Sequence, residues 1–105
     1  MFKSEYVVKI RDVVKSGYAH SPEDGEIVAK SIIENYKGDM NLVLDFLEIK
    51  TMNTAFGNKL IEPLYEKYGA DILNKYFSIK NHNELIKLTF MKVIENYKEG
   101  RNDSK

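Results

Sequence analysis

The amino-acid sequence predicts a single small α/β domain, with a mixed, mostly parallel sheet of about four strands and three helices. Short apolar stretches rich in β-branched residues alternate with longer stretches in which apolar residues recur every three or four positions. Such alternation is typical of β-α-β units. A chain of 105 residues is long enough for one hydrophobic core. We therefore expect one domain over residues 1–100 and a disordered polar tail over 101–105.

The composition excludes several classes of function. Sixteen basic and sixteen acidic residues give a net charge of zero, so the excess of positive charge that nucleic acid requires is missing. The absence of cysteine excludes disulfides and thiolate chemistry. No apolar run is long enough for a membrane span, and the first residues do not resemble a signal peptide. We expect a cytoplasmic protein that binds neither nucleic acid nor membrane.

The first forty residues predict one strand, an edge strand and a helix. Residues 6–10 are apolar and aromatic in near alternation, which predicts a strand that continues toward Val14. Residues 18–20 are predicted to form a short edge strand after a turn. Ser21 and Pro22 are suited to the N-cap and first position of a helix. Its apolar face is predicted to contain Val28, Ala29, Ile32, Ile33 and Tyr36, and its end to lie at Gly38.

The most apolar strand is predicted at residues 42–49. Only Asp45 and Glu48 interrupt its apolar run, so we expect this strand to be central and buried on both faces. A helix is predicted to follow at residues 54–68. Its apolar positions are Phe56, Leu60, Ile61, Leu64, Tyr65 and Tyr68.

Three further features complete the predicted order of elements. Pro63 removes a backbone hydrogen bond from the interior of the second helix, so we expect a kink or a break there, and Gly69 is predicted to end that helix. Residues 76–80 predict the last main strand. Asn81 or Asn83 is then predicted to cap a final helix, whose apolar face contains Ile86, Phe90, Val93, Ile94 and Tyr97.

The junction after the central strand is the best candidate for a functional surface. In open α/β sheets, ligands and partners bind where the carboxyl ends of strands meet the amino ends of helices. Asp45 ends the predicted strand, and we expect its carboxylate to support the following loop by accepting backbone hydrogen bonds. A phosphoacceptor aspartate would need further carboxylates for Mg²⁺ at neighbouring strand ends. The first strand ends in Lys9-Ile10-Arg11-Asp12, which offers no acidic pair.

Residues 42–97 resemble the STAS-like family, which groups small bacterial relatives of the sulphate transporter and anti-sigma factor antagonist domain. The family pattern is an apolar strand ending in Asp-Phe, then small hydroxyl residues, then Phe-(Ala/Gly)-x-x-Leu. Here the strand end is Leu44-Asp45-Phe46, and the later part is Thr51-Met52-Asn53-Thr54-Ala55-Phe56-Gly57-Asn58-Lys59-Leu60. Ile79-Lys80-Asn81 matches the next strand end of the family.

The resemblance implies a regulatory, protein-binding module that is not an enzyme. In anti-sigma factor antagonists, the loop and helix start after this strand dock onto a partner kinase of the histidine-kinase-like ATPase fold. A serine at the helix start is phosphorylated there, and the added charge breaks the complex. The nearest positions in this chain are Thr54 and Ala55. An alignment on Ala55 removes the switch, whereas an alignment on Thr54 keeps a hydroxyl.

The surface implied by the resemblance consists of Thr51, Asn53, Thr54, Ala55, Gly57, Asn58 and Lys59. Two of these residues have a competing structural interpretation. Thr54 at or just before the N-cap would satisfy a backbone N–H, a contribution of about 1 kcal/mol. Gly57 in the first helical turn either permits close packing on the sheet or leaves space for the backbone of a partner.

Other functions remain as alternatives. A phage or mobile-element accessory protein that inhibits a host factor by binding would show the same pattern. A small enzyme or nucleotide-binding protein could use the same junction, but the sequence contains no Gly-rich phosphate loop and no Ser-His-Asp set. His20 and His82 are not at metal-ligand spacing from a carboxylate. We therefore predict no cofactor and no metal, and the sequence does not predict the oligomeric state.

Overall fold

Three parallel strands form the main sheet of the computed structural model, which describes residues 4–38, 40–70 and 77–97. These strands are β1 (Glu5–Lys9), β3 (Asn41–Asp45) and β5 (Phe77–Lys80), with β3 in the centre. The short strands β2 (Tyr18–Ala19) and β4 (Thr51–Met52) pair in a second parallel sheet. The predicted α/β class is confirmed, and all strand pairs of the described residues are parallel. The predictions for Tyr76 and for the tail at 101–105 lie outside the described residues.

The central strand is buried on both faces, as predicted, but it is shorter than predicted. Leu42 and Leu44 are fully buried, and Val43 on the opposite face is also buried. The strand ends at Asp45 instead of continuing to residue 49. It ends there because the Leu47 N–H donates to the Asp45 carboxylate and Glu48 adopts a φ of 68°, which turns the chain out of the extended conformation.

The predicted continuation of the first strand toward Val14 is wrong. Residues Ile10–Asp12 form a 3-10 helix, in which the Ile10 carbonyl accepts hydrogen bonds from the N–H groups of Val13 and Val14 at 3.0 and 2.8 Å. Ile10 and Val14 are both buried in the core. Residues four positions apart share one side of a strand as well as one side of a helical turn, so the spacing of Ile10 and Val14 in the sequence does not distinguish the two.

The described residues contain three α-helices: α1 (Pro22–Asn35), α2 (Thr54–Tyr68) and α3 (Glu84–Glu95). Ser21 caps α1 by accepting from the Asp24 N–H, as predicted, and α1 ends at Asn35, three residues before Gly38. The helix α2 is continuous through Pro63, so the break that was considered there does not occur. Gly69 ends α2 with a φ of 80°. Of the two asparagines considered for α3, Asn83 is the cap.

The hydrophobic core lies between the helices and one face of the main sheet. Side chains alternate across a strand, so Leu42 and Leu44 point to the same face. Both belong to the core cluster, together with residues of all three helices such as Ile32, Phe56 and Phe90. On the other face, Val7 is exposed beside Val43. No helix of the described ranges is long and apolar enough to cross a membrane.

Candidate docking surface

The start of α2 is held by the two-stranded sheet at the carboxyl edge of the main sheet. Asn53 follows β4 directly, and its N–H donates to the Ala19 carbonyl of β2 at 3.1 Å. Three residues earlier, the Lys50 N–H donates to the Gly17 carbonyl at 2.8 Å. The Lys50 carbonyl accepts from the Asn83 side chain at 2.9 Å. The loop before β4 is therefore tied to the loop before β2 and to the start of α3.

Asn53 is the residue that fixes the first turn of α2. Its side-chain oxygen accepts from the Phe56 N–H at 2.9 Å, and its side-chain nitrogen donates to the His20 carbonyl at 3.2 Å. One amide thus caps the helix and connects it to the end of β2. The prediction that Thr54 lies at or just before the cap is wrong, because Thr54 occupies the first helical position after the cap. Its side chain is exposed.

We expect Asn53→Ala to lower the free energy of unfolding by about 1–2 kcal/mol, the range measured for lost helix caps. The substitution also removes the bond to the His20 carbonyl. Thr54→Ala, one residue along, should change stability by less than about 0.5 kcal/mol, because Thr54 is exposed and does not provide the cap. Urea unfolding followed by circular dichroism measures both values. Equal losses in the two variants would contradict the assignment of the cap to Asn53.

His20 belongs to this surface, although no motif in the sequence marked it as a site residue. Its Nε2 and the Thr51 hydroxyl share a hydrogen bond of 2.7 Å, which connects the ends of β2 and β4. The two residues are 31 positions apart, and only the parallel pairing of β2 with β4 brings them together. The weak strand pattern at residues 18–20 was the only signal in the sequence that pointed to this pairing.

The remaining predicted residues differ in their accessibility. Thr54 and Ala55 are exposed, and Asn58 is half-buried one turn further along α2. Lys59 is exposed and forms an ion pair of 3.5 Å with Glu26 of α1. Together with Thr51, the outward surface of the junction is therefore formed by small, uncharged side chains, and Lys59 lies at its border with α1.

Gly57 is buried and does not contribute to the outward surface. A Cβ atom at this position would lie 2.9 Å from Cγ2 of Val93 in α3 and 3.5 Å from the Met52 side chain. Of the two roles considered for this glycine, the structure shows close packing, but the closest packing partner is α3 and not the sheet as predicted. The glycine allows α2 and α3 to approach each other.

Asp45 supports the same edge of the sheet from inside. Its side chain is only 6% exposed. One carboxylate oxygen accepts from the Asn81 side chain at 2.9 Å and from the Leu47 N–H at 3.0 Å. The bond from Asn81 is the largest influence that holds the pKa of Asp45 below its usual value of 3.8, and the Leu47 N–H and the positive charges of Lys80 and Lys9 act in the same direction. The carboxylate therefore stays ionised and braces the loop.

The lowered pKa of Asp45 makes stability depend on pH. A carboxyl group whose pKa is lower in the folded state stabilises the fold above its unfolded pKa of about 4 and loses this effect as the pH falls through the folded value. We expect wild-type stability to fall with decreasing pH below about 4, and Asp45→Asn to flatten that decrease. Asn81→Gly should act in the same direction, because it removes the main donor while glycine accepts the φ of 59° found at this position. Unfolding curves at several pH values test this, and unchanged acid dependence in both variants would refute it.

The junction offers hydrogen-bonding groups and a surface for short-range contact. Within the described part of the chain, no group of three His, Asp or Glu side chains is arranged to hold a metal. The His20–Thr51 pair brings an imidazole next to a hydroxyl. Catalysis by such a pair also needs a group that orients the imidazole, and the hydrogen bonds of the described residues contain none for His20.

The parallel sheet, with helices that begin at its carboxyl edge, defines a small STAS-like α/β domain. A family model described as a STAS-like domain of unknown function (DUF4325) matches residues 24–87, which is more than half of the chain, and the chain belongs to this family. The resemblance to the STAS-like family is thereby confirmed, and the match includes most of α1 and the whole surface at residues 51–59. Comparison with curated proteins and with solved structures gave no match.

Proposed function

We propose that the chain is a non-catalytic regulatory module that docks a partner protein through the junction between β4 and α2. The docking surface consists of His20, Thr51, Thr54, Ala55 and Asn58. The observation that carries the proposal is the double anchoring of Asn53, which holds this exposed turn in one position before any partner arrives. A surface that is already ordered loses little conformational entropy on binding.

Exposed apolar side chains beside the junction support a protein partner. Tyr18 pairs with Thr51 in the short sheet, and its side chain is about half exposed. Leu47 in the loop before β4 is 55% exposed. Large apolar side chains next to small polar ones are typical of protein interfaces, in which a few apolar anchors provide most of the binding energy.

The finer part of the proposal concerns the partner and the switch. From the resemblance to anti-sigma factor antagonists, we propose a partner kinase of the histidine-kinase-like ATPase fold. Thr54 is the exposed hydroxyl residue at the first position of α2 and is the proposed phosphoacceptor. Negative charge at the amino end of a helix is compatible with the folded state, so phosphorylation would alter the surface without unfolding the domain.

The test measures binding between the tagged chain and a purified kinase of this fold that is encoded in the same genome. We expect Thr54→Glu to lower the affinity at least about tenfold, because it places charge in a surface that is otherwise uncharged. Its unfolding free energy should stay within about 1 kcal/mol of wild type. Asn58→Lys, one turn along the same face, should weaken binding in the same way.

Two control variants make the result specific. Thr54→Val keeps the shape of the side chain without adding charge and should retain binding but lose phosphorylation at this position. Lys30→Gln changes the net charge by the same amount on an exposed position of α1 and should bind as wild type does. Wild-type affinity in both Thr54→Glu and Asn58→Lys would contradict this docking surface. Hydrolysis of nucleotides or esters by the pure chain, lost in Thr51→Val, would contradict a non-catalytic role.

A further inference from the structure

A cavity of about 370 Å³ lies between β5 and α3. Its walls are mostly apolar and include Phe77 and Phe90, whose rings are stacked with their centres 5.4 Å apart. The other apolar side chains of the walls are Ile79, Met91 and Ile94. Cavities of this size with apolar walls and a few polar groups are typical of sites that bind small molecules.

Two basic side chains line this cavity at the start of α3. His82 immediately precedes the cap residue Asn83, and Lys87 occupies the fourth position of the helix. Side chains at these two positions often pack against each other where a helix begins, so His82 and Lys87 belong to the same end of the cavity. Lys87 is exposed and forms no ion pair with any residue that the structure describes. Its charge is therefore available to a ligand.

The two neighbours of His82 fix its position. Asn81 adopts a φ of 59°, and its side chain donates to the Asp45 carboxylate at 2.9 Å. Asn83 caps α3, and its side chain donates to the Lys50 carbonyl at 2.9 Å. The turn that carries His82 is therefore ordered before any ligand binds, which lowers the entropy lost on binding.

The Nδ1 atom of His82 is buried and has no hydrogen-bond partner among the described residues. Buried polar atoms are nearly always hydrogen-bonded, because an unpaired one has lost its water without replacement. The only comparable atom in the described ranges, Nε of Arg11, lies 3.6 Å from the Glu48 carboxylate and so has a charged neighbour. His82 lines the cavity, and a molecule bound there would supply the missing partner.

We propose that this cavity binds a small aromatic carboxylate. The carboxylate group accepts hydrogen bonds from His82 and Lys87, and the ring lies against Phe77 and Phe90. An ionised carboxylate only accepts hydrogen bonds, and its bonds to a lysine ammonium are among the stronger ones in proteins. Aromatic side chains favour an aromatic ligand, which can stack on them or meet them edge-on.

Glu95 determines the orientation of the ligand. It lines the same cavity eight positions after Lys87, about 12 Å further along the helix axis. Its negative charge repels a carboxylate at that end, whereas Lys87 attracts one at the other end. The acid group of the ligand is therefore expected beside His82 and Lys87, with the ring directed toward Glu95.

The volume of the cavity limits the size of the ligand. An apolar cavity of about 150 Å³ holds one benzene molecule. The present cavity therefore has room for an aromatic ring that carries a short acid side chain, and trans-cinnamate is a suitable probe. For a ligand of this size we expect a dissociation constant on the order of 0.1–1 mM. The cavity shares no residue with the docking surface, so this proposal does not rest on the proposed function.

The experiment is an NMR titration of the isotope-labelled full chain with trans-cinnamate and, separately, with its uncharged amide, cinnamamide. Backbone amide signals of residues 77–95 should shift with trans-cinnamate, and cinnamamide should bind at least about fivefold more weakly. The imidazole nitrogen signals give a direct reading of the proposed contact. Those of His82 should shift with trans-cinnamate, whereas those of His20, the other histidine of the chain, should not.

Three variants test the two basic side chains. His82→Leu and Lys87→Met should each weaken trans-cinnamate binding at least about fivefold and leave cinnamamide binding within about twofold of wild type. A general loss of structure would weaken both ligands equally, so the comparison separates recognition of the acid from folding. Lys92→Met removes the same charge from an exposed position of α3 that does not line the cavity, and it should bind as wild type does.

Three results would overturn the proposal. The cavity would not be a site for aromatic acids if trans-cinnamate caused no shifts in residues 77–95 up to about 10 mM. Equal affinities for trans-cinnamate and cinnamamide would exclude recognition of the acid group. Wild-type affinity for trans-cinnamate in both His82→Leu and Lys87→Met would remove these side chains from the site.

Discussion

Phe46→Ala is expected to lower the free energy of unfolding by about 3–5 kcal/mol, the usual range for a buried phenylalanine. Phe46 is fully buried directly after β3. Its ring packs edge-on against Phe90 of α3 with the ring centres 6.1 Å apart. Phe90 in turn stacks on Phe77 of β5. Loss of the Phe46 ring leaves a cavity between the end of β3, α3 and β5. Because three elements line this cavity, movement of a single side chain cannot fill it.

The neighbouring residue provides the control for this substitution. Leu47 is 55% exposed, and its one hydrogen bond to Asp45 comes from the backbone, which alanine retains. Leu47→Ala should therefore change stability by less than about 0.5 kcal/mol. Urea unfolding monitored by circular dichroism at neutral pH measures both variants. A loss below about 1 kcal/mol for Phe46→Ala would show that the contact of Phe46 with Phe90 contributes little to the stability of the core.

Gly25→Ala is expected to destabilise the domain by about 2–3 kcal/mol, although alanine normally favours a helix interior by about 1 kcal/mol. Gly25 lies in the first turn of α1 where this helix crosses α2. A Cβ atom there would lie 2.5 Å from the Phe56 carbonyl oxygen and 3.3 Å from the Leu60 nitrogen. Both atoms belong to the backbone, so a rotamer change cannot relieve the clash and the two helices must move apart.

Gly57→Ala tests whether the identity of the opposing atom decides the cost. Its Cβ would lie 2.9 Å from Cγ2 of Val93, a buried β-branched side chain that is held in one rotamer by its helix, so α2 and α3 must shift slightly. We expect a loss of about 1–2 kcal/mol, smaller than for Gly25→Ala because the overlap is less severe and involves no backbone atom. The same urea titration applies to both variants. If Gly25→Ala were as stable as wild type, α1 and α2 would not be in close backbone contact at this point.

The contact at Gly25 also bears on the proposed docking surface. Phe56 belongs to the first turn of α2, the same turn that carries Thr54 and Ala55. A displacement of α1 from α2 would therefore move the outward surface relative to β2 and β4. We expect the geometry of this surface to depend on the two fixed contacts of the turn, Gly25 on one side and Asn53 on the other.

Local sequence signals predicted most of the helix boundaries. Ser21-Pro22 begins α1, and Gly69 ends α2, as the capping rules require. These signals work from one sequence because a cap is a contact between residues only a few positions apart. The assignment of the α2 cap to Thr54 was wrong for a related reason. Either side chain can cap locally, and the contact of Asn53 with His20, 33 residues away, accompanies the observed choice.

Strand ends were predicted less well than helix ends. An apolar run shows that a segment is buried, but it does not show whether the backbone remains extended. Phe46 and Ile49 are as buried as the strand before them, yet they lie in a loop. Their N–H groups are satisfied by the Lys80 and Phe46 carbonyls, respectively. The hydrogen bonds of a loop involve partners that hydrophobic patterning cannot identify.

By itself, the sequence determined the class of fold, the order of its main elements, the buried central strand and the membership in a STAS-like family, because each is encoded in residue type and short-range spacing. Only the tertiary structure decided which residues share the candidate surface. His20 joined it through the pairing of β2 with β4, and Gly57 left it through the packing of α2 on α3. Both outcomes depend on contacts between residues about 30 or more positions apart. Such contacts arise from the balance of packing and hydrogen bonding over the whole domain, which local propensity does not contain.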